Sequence, residues 1–161
     1  MTKLYIRIVE TLIILGLGVM VALTFASAMI RFIPGYGGIF WAEEITRYVS
    51  IWVVFLAAGL GVRYGIHLGV DMVAMALPEK MRRVMFVFSY LLMLGFQWVL
   101  LFYGTQLAIS NHAQQSASLQ MHMSYAYAAI PVGAAIMIFE TLRLIYLELT
   151  GTSTAMQPMA D

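Results

Sequence analysis

Apolar and polar positions in this chain segregate on the scale of whole helices. Four long apolar stretches, 8–30, 41–65, 84–109 and 124–147, are separated by shorter polar segments. A helix rises ~1.5 Å per residue, so each stretch is long enough to cross a hydrocarbon core of ~30 Å. Continuous runs of this kind are the signature of spanning helices, whereas a membrane β-barrel would show alternation. The pattern predicts an all-α integral membrane four-helix bundle as a single domain, 1–147, followed by a polar tail, 148–161.

The second stretch is the most informative. It reads WAEEITRYVSIWVVFLAAGLGVRYGIHLGVD from Trp41 to Asp71, without a charge between Tyr48 and Val62. Glu43, Glu44 and Arg47 collar one end; Arg63, His67 and Asp71 collar the other. Glu43 precedes Arg47 by four, the favourable sense for an ion pair along a helix. Arg63, His67 and Asp71 are also spaced by four and share a face if the helix continues. Ala57, Gly61, Gly65 and Gly69 repeat every four residues, a row that lets a neighbouring backbone come close in a membrane. Gly18, Ala22 and Ala26 form a similar row in the first stretch.

The segments between are short. RFIPGYGGIF, 31–40, is broken by Pro34, Gly35, Gly37 and Gly38, and its aromatics suit a membrane–water interface. IHLGVDMVAMAL, 66–77, is amphipathic and too short to span; it reads as an interfacial helix or an extension of helix two. Pro78 turns the chain, and Arg82 and Arg83 introduce the third stretch. SNHAQQSASLQMHM, 110–123, is the most polar loop. Pro131 lies inside the fourth stretch with Gly133 two residues on, which predicts a kink there. Lys3 and Arg7 ahead of an apolar run that reaches Ala26-Ser27-Ala28 have the look of a cleavable secretory signal. The run continues into Met29 and Ile30, so a retained helix is expected.

Composition agrees: 62% of the 161 residues are hydrophobic and 11% charged, against about half and a quarter in soluble domains. A net charge of +1 gives no reason to expect nucleic acid. The absence of cysteine removes disulfides and thiolate metal sites. Lys3, Arg7, Arg63, Lys80, Arg82, Arg83 and Arg143 fall on one side of the predicted topology, and only Arg31 and Arg47 on the other. That bias places both termini in the cytoplasm.

Candidate chemistry is sparse. His67 lies at the opposite end from His112 and His122, so no pair is set to hold a haem. Glu10 and Glu140 are off-centre, where a carboxylate pairs with a nearby cation or reaches the interface. Gln97 is the most central polar side chain and suits a bond across a helix interface. Glu43, Glu44 and Arg47 suit either a polar contact to a partner or a self-paired cap. These readings predict no enzyme, no cofactor and no metal.

WAEEITRY, the apolar run, GVRYGIHLGVD, LPEKMRR and SYAYAAIPVGAAIM together resemble the DctQ-like small membrane subunit of tripartite ATP-independent periplasmic (TRAP) transporters, over about Trp41 to Leu144. Met121-His122-Met123 departs from the proline such proteins often carry there. The resemblance implies a bacterial inner-membrane protein that pairs with a large membrane subunit as a heterodimer. It also implies transient contact with a periplasmic binding protein, a lipid environment, and a bracing role in sodium-driven uptake of an organic acid. Two other functions compete with it: a self-contained small multidrug or proton-coupled exchanger, and the membrane anchor of a redox enzyme.

Overall fold

A computed structural model describes residues 2–33, 39–64 and 78–150. Four helices in them are long and apolar enough to span a bilayer. They are α1, Thr2–Arg31; α2, Phe40–Arg63; α3, Glu79–Ser110; and a final span made of α4, Ser124–Tyr127, and α5, Ala129–Leu149. The expected interfacial helix at 66–77 lies outside the described residues.

Two helices begin earlier than the apolar pattern predicts. α1 starts at Thr2 and α3 at Glu79, directly after Pro78. Apolarity marks only the part of a helix in hydrocarbon, and backbone hydrogen bonding continues into the polar turns beyond. At ~1.5 Å per residue, the 32 residues of α3 outrun a ~30 Å core.

The last span breaks at Ala128, three residues before Pro131. Proline lacks the N–H that would bond the carbonyl four residues back, Tyr127, and its ring crowds that carbonyl. The distortion predicted at Pro131 and Gly133 therefore falls one turn upstream, and Gly133 serves packing.

The extensive helix contacts are α1 with α2, α2 with α5, and α5 with α3. The spans thus follow one another in space as α1, α2, α5, α3, with α2 and α5 inner and α1 and α3 outermost. Val62, Ala134 and Met137 form a core joined by Phe55, Met93, Leu100, Leu101 and Leu144. Phe86 and Tyr90 form a second core near one end. α1 displays Leu4, Ile8, Leu12, Ile14, Leu15, Val21 and Phe25, each at least half exposed, as a lipid-facing or partner-facing helix must.

Close approach of α2 and α5 depends on two glycines. A Cβ on Gly59 would lie 2.4 Å from Ile136 Cγ2, and one on Gly133 would lie 2.6 Å from Phe55 Cβ and 3.0 Å from its carbonyl oxygen. Each helix thus drops a side chain onto a glycine of the other. The predicted row is different: Gly61 faces open space, Ala57 is exposed, and Gly65 and Gly69 lie outside the described residues. Within this chain the seam runs through Gly59, two positions from Gly61 and on another side of the helix.

Candidate functional site: polar clusters between the helices

Charged and polar side chains gather in three places. At one end, Arg63 closes α2 and Glu140 faces it from α5. Arg63 Nη1 donates to Glu140 Oε1 at 2.8 Å, with the two side chains 10% and 0% exposed. Arg143 lies 3.6 Å from the other carboxylate oxygen. A fully buried carboxylate in an apolar bundle is retained only when paired, and two guanidiniums supply the pairing. The Tyr5 hydroxyl is buried at this end without a hydrogen-bond partner among the described residues. Tyr64 donates to Glu10 Oε1 at 2.8 Å, tying α2 to α1. That hydrogen bond, with a smaller contribution from burial, raises the Tyr64 pKa above the ordinary phenol value.

Nearer the centre, Gln97 on α3 is buried and bonds Thr141 on α5. Gln97 Nε2 donates to Thr141 Oγ1 at 2.9 Å, and the Thr141 hydroxyl lies 2.8 Å from the Met137 carbonyl oxygen.

At the far end, the first turns of α2 hold the 111–123 loop. Glu44 accepts three consecutive backbone N–H groups: Ala117 at 3.0 Å on Oε1, and Ser118 at 3.0 Å and Leu119 at 2.9 Å on Oε2. The Tyr48 hydroxyl adds a fourth bond at 3.0 Å. Successive N–H groups converging on one anion form a backbone nest. Around it the loop closes as a small antiparallel turn, with Ser116 N–H to the Met121 carbonyl at 2.9 Å and Met123 N–H to the Gln114 carbonyl at 2.9 Å. Gln120 takes the left-handed conformation, φ 51°, that this tight turn demands. The His112 and His122 rings stack 4.7 Å apart beside it. Trp52 Nε1 donates to the Tyr125 carbonyl at 3.1 Å, securing the start of the last span.

The expected Glu43–Arg47 pair is replaced. Glu43 pairs with Arg31, the last residue of α1, while Arg47 is exposed and forms no ion pair among the described residues. The α1–α2 connection brings a cation from the neighbouring helix to Glu43, and Arg47 projects from another face. Arg63 pairs across helices with Glu140; its expected neighbours His67 and Asp71 lie outside the described residues. Sequence reasoning gave Gln97 a bond across a helix interface and Glu140 a nearby cation without naming Thr141 or Arg63; it did not foresee Glu43 with Arg31, Glu10 with Tyr64 or Glu44 with the loop. The loop did carry a signal, since 113–121 has no charged or histidine side chain of its own beside an acidic helix start. Among the described residues, no group of three His, Cys, Asp or Glu side chains is placed to hold a metal.

Four apolar spans with internally matched polar groups define a multi-pass helical membrane protein whose clusters secure helix against helix. Residues 20–151 match the family described as tripartite ATP-independent periplasmic transporters, DctQ component. The chain belongs to that family: it is a multi-pass protein of the bacterial inner membrane and a transporter component, not an enzyme. It is 31% identical to the C4-dicarboxylate TRAP transporter small permease protein DctQ of Rhodobacter capsulatus, over 66% of this chain and 48% of that protein. It is 28% identical to the protein of the same description from Vibrio cholerae serotype O1, over 88% of this chain and 71% of that one. A putative TRAP transporter small permease protein of Haemophilus influenzae is 26% identical over 80% of this chain and 77% of its own length. The chain thus spans about half the length of the Rhodobacter relative.

Proposed function

We propose that this chain is the small permease subunit that braces a large membrane subunit while a periplasmic binding protein delivers an organic acid for sodium-driven uptake. The observation that carries the reading is a second, unused face of α2. One side of α2 packs α1 and α5, whereas Arg47, Val54, Ala57 and Ala58 are exposed and a Cβ on Gly61 would meet no atom within 4 Å among the described residues. A stripe of small residues ended by a cation suits close packing against another helix and one polar contact. Pairing of Glu140 with Arg63 and Arg143 supports a static frame, since the deep carboxylate already serves structure. The seven-to-two bias of lysine and arginine supports both termini facing the cytoplasm. Three relatives are described as C4-dicarboxylate permease subunits, so a C4-dicarboxylate is the first organic acid to test.

The test is co-expression with a large TRAP membrane subunit encoded beside it, followed by affinity purification. The two chains should purify in a 1:1 complex, and Gly61→Leu should reduce the partner's recovery while the small chain stays folded. Equal recovery in Gly61→Leu and wild type contradicts the assigned face. A periplasmic reading from a reporter fused at Lys80 contradicts the topology.

A further inference from the structure

We propose that the cleft between α1 and α2 is a binding site for a zwitterionic phospholipid headgroup bearing a primary ammonium. The cleft has a volume of about 270 Å³ and is lined by Leu23, Thr24, Ser27, Ala28 and Arg31 of α1 and by Ala42, Glu43 and Thr46 of α2. It sits where α1 ends and α2 begins, at the limit of both apolar spans. Phe32, Phe40 and Trp41 are exposed at the same level, the aromatic marking of a membrane–water interface.

The lining itself points to a ligand. The Ser27 hydroxyl is buried, with the residue only 6% exposed, yet it has no hydrogen-bond partner among the described residues. A buried polar group without a partner is disfavoured, so this donor calls for an acceptor that enters from outside. At the mouth stand one cation and one anion, Arg31 and Glu43, with side chains 63% and 49% exposed. An exposed pair of this kind contributes little to stability and opens readily. A phosphodiester next to an ammonium satisfies each member in turn: the phosphate on Arg31 and the Ser27 hydroxyl, the ammonium on Glu43. Thr24 and Ala28 are exposed on the outer side of α1, leaving a way in for acyl chains from the bilayer. The volume is below the ~300–1,000 Å³ of sites that enclose drug-sized ligands. It suits a compact head whose tails stay in lipid.

Headgroup chemistry separates this site from general lipid adhesion. Phosphatidylglycerol brings a phosphate without an ammonium. Phosphatidylcholine brings a quaternary ammonium with no N–H to donate to Glu43. Native mass spectrometry of the full-length protein, titrated with each lipid in detergent, reads the difference directly. Phosphatidylethanolamine should bind roughly tenfold more tightly than either, the size of one charge-assisted hydrogen bond. Glu43→Gln should remove that preference, and Ala28→Leu, which fills the cleft from an exposed position, should weaken binding by roughly tenfold. Glycerophosphoethanolamine, the headgroup without acyl chains, identifies the source: competition at equal concentration marks a soluble headgroup, and failure to compete marks the bilayer lipid. Equal affinity for the three lipids in the wild type overturns the proposal without any variant. Retention of the preference by Glu43→Gln also overturns it.

Discussion

Replacing Gly133 by alanine puts a methyl group 2.6 Å from the Phe55 Cβ and 3.0 Å from the Phe55 carbonyl oxygen. Carbon atoms in contact sit ~3.5–4.0 Å apart, so α2 and α5 must separate by roughly 1 Å or twist. Phe55 cannot relieve the clash by changing rotamer, because the nearest atoms are its Cβ and its backbone. Overpacking of this kind costs ~1–3 kcal/mol. In water a Gly→Ala change inside a helix would recover up to ~1 kcal/mol of propensity. In a membrane the separated helices remain helical, since their backbone has no water to bond, and most of that recovery is lost. Gly133→Ala should therefore destabilise the fold by about 1–3 kcal/mol, and Gly133→Leu by more. Gly61→Ala adds its methyl to open space and should change stability by less than ~0.5 kcal/mol. The assay is reversible unfolding of the purified full-length chain in detergent, followed by tryptophan fluorescence; Trp52, which ties α2 to the Tyr125 carbonyl of the last span, reports on the separation of the two. Equal stability of Gly133→Ala and wild type refutes the seam. Equal losses from Gly133→Leu and Gly61→Leu refute the assignment of Gly61 to the outer face.

Two further outcomes follow from the polar clusters. Glu140→Leu leaves the Arg63 guanidinium, 10% exposed, without its partner and should cost ~3–5 kcal/mol, whereas Arg63→Met combined with Glu140→Met should recover most of that loss; the same unfolding assay checks both. Glu44→Ala should release the loop, read as faster hydrogen exchange at Ala117, Ser118 and Leu119 with no change at Gln97 or Met137, and unchanged exchange at the three loop amides would contradict the nest.

The four spans were legible because lipid thickness writes itself into a sequence as apolar runs of twenty-odd residues. The starts of α1 and α3 were not, because a helix that leaves hydrocarbon no longer has to be apolar. Which face of each helix packs inward was also hidden. Lipid-facing and helix-facing positions are both apolar here, so Gly61 and Gly59 look alike in sequence while a Cβ on the first would enter open space and one on the second would meet Ile136. The Glu43–Arg47 expectation rested on spacing along one helix, and a cation at the end of the neighbouring helix displaced it. Glu140 and Arg63 are 77 residues apart. Their pairing could have been sought from topology, which puts the end of the second span and the later half of the fourth on one side of the membrane. The nest around Glu44 depends on a left-handed Gln120 and three aligned amides, a conformation that no residue type in the loop announces.

The central claim is that this chain holds the transporter's frame and takes no part in coupling. It is tested most directly by uptake of a C4-dicarboxylate into proteoliposomes containing the assembled complex, measured against sodium concentration and normalised to complex. Glu140→Gln, Glu43→Gln and Arg47→Ala together cover the deep carboxylate, the Arg31 pair and the exposed cation. The account predicts that, at whatever yield of intact complex each variant gives, the sodium half-saturation and Hill slope match wild type. A shift in either quantity in any of the three would contradict the account and place part of the coupling machinery in this chain.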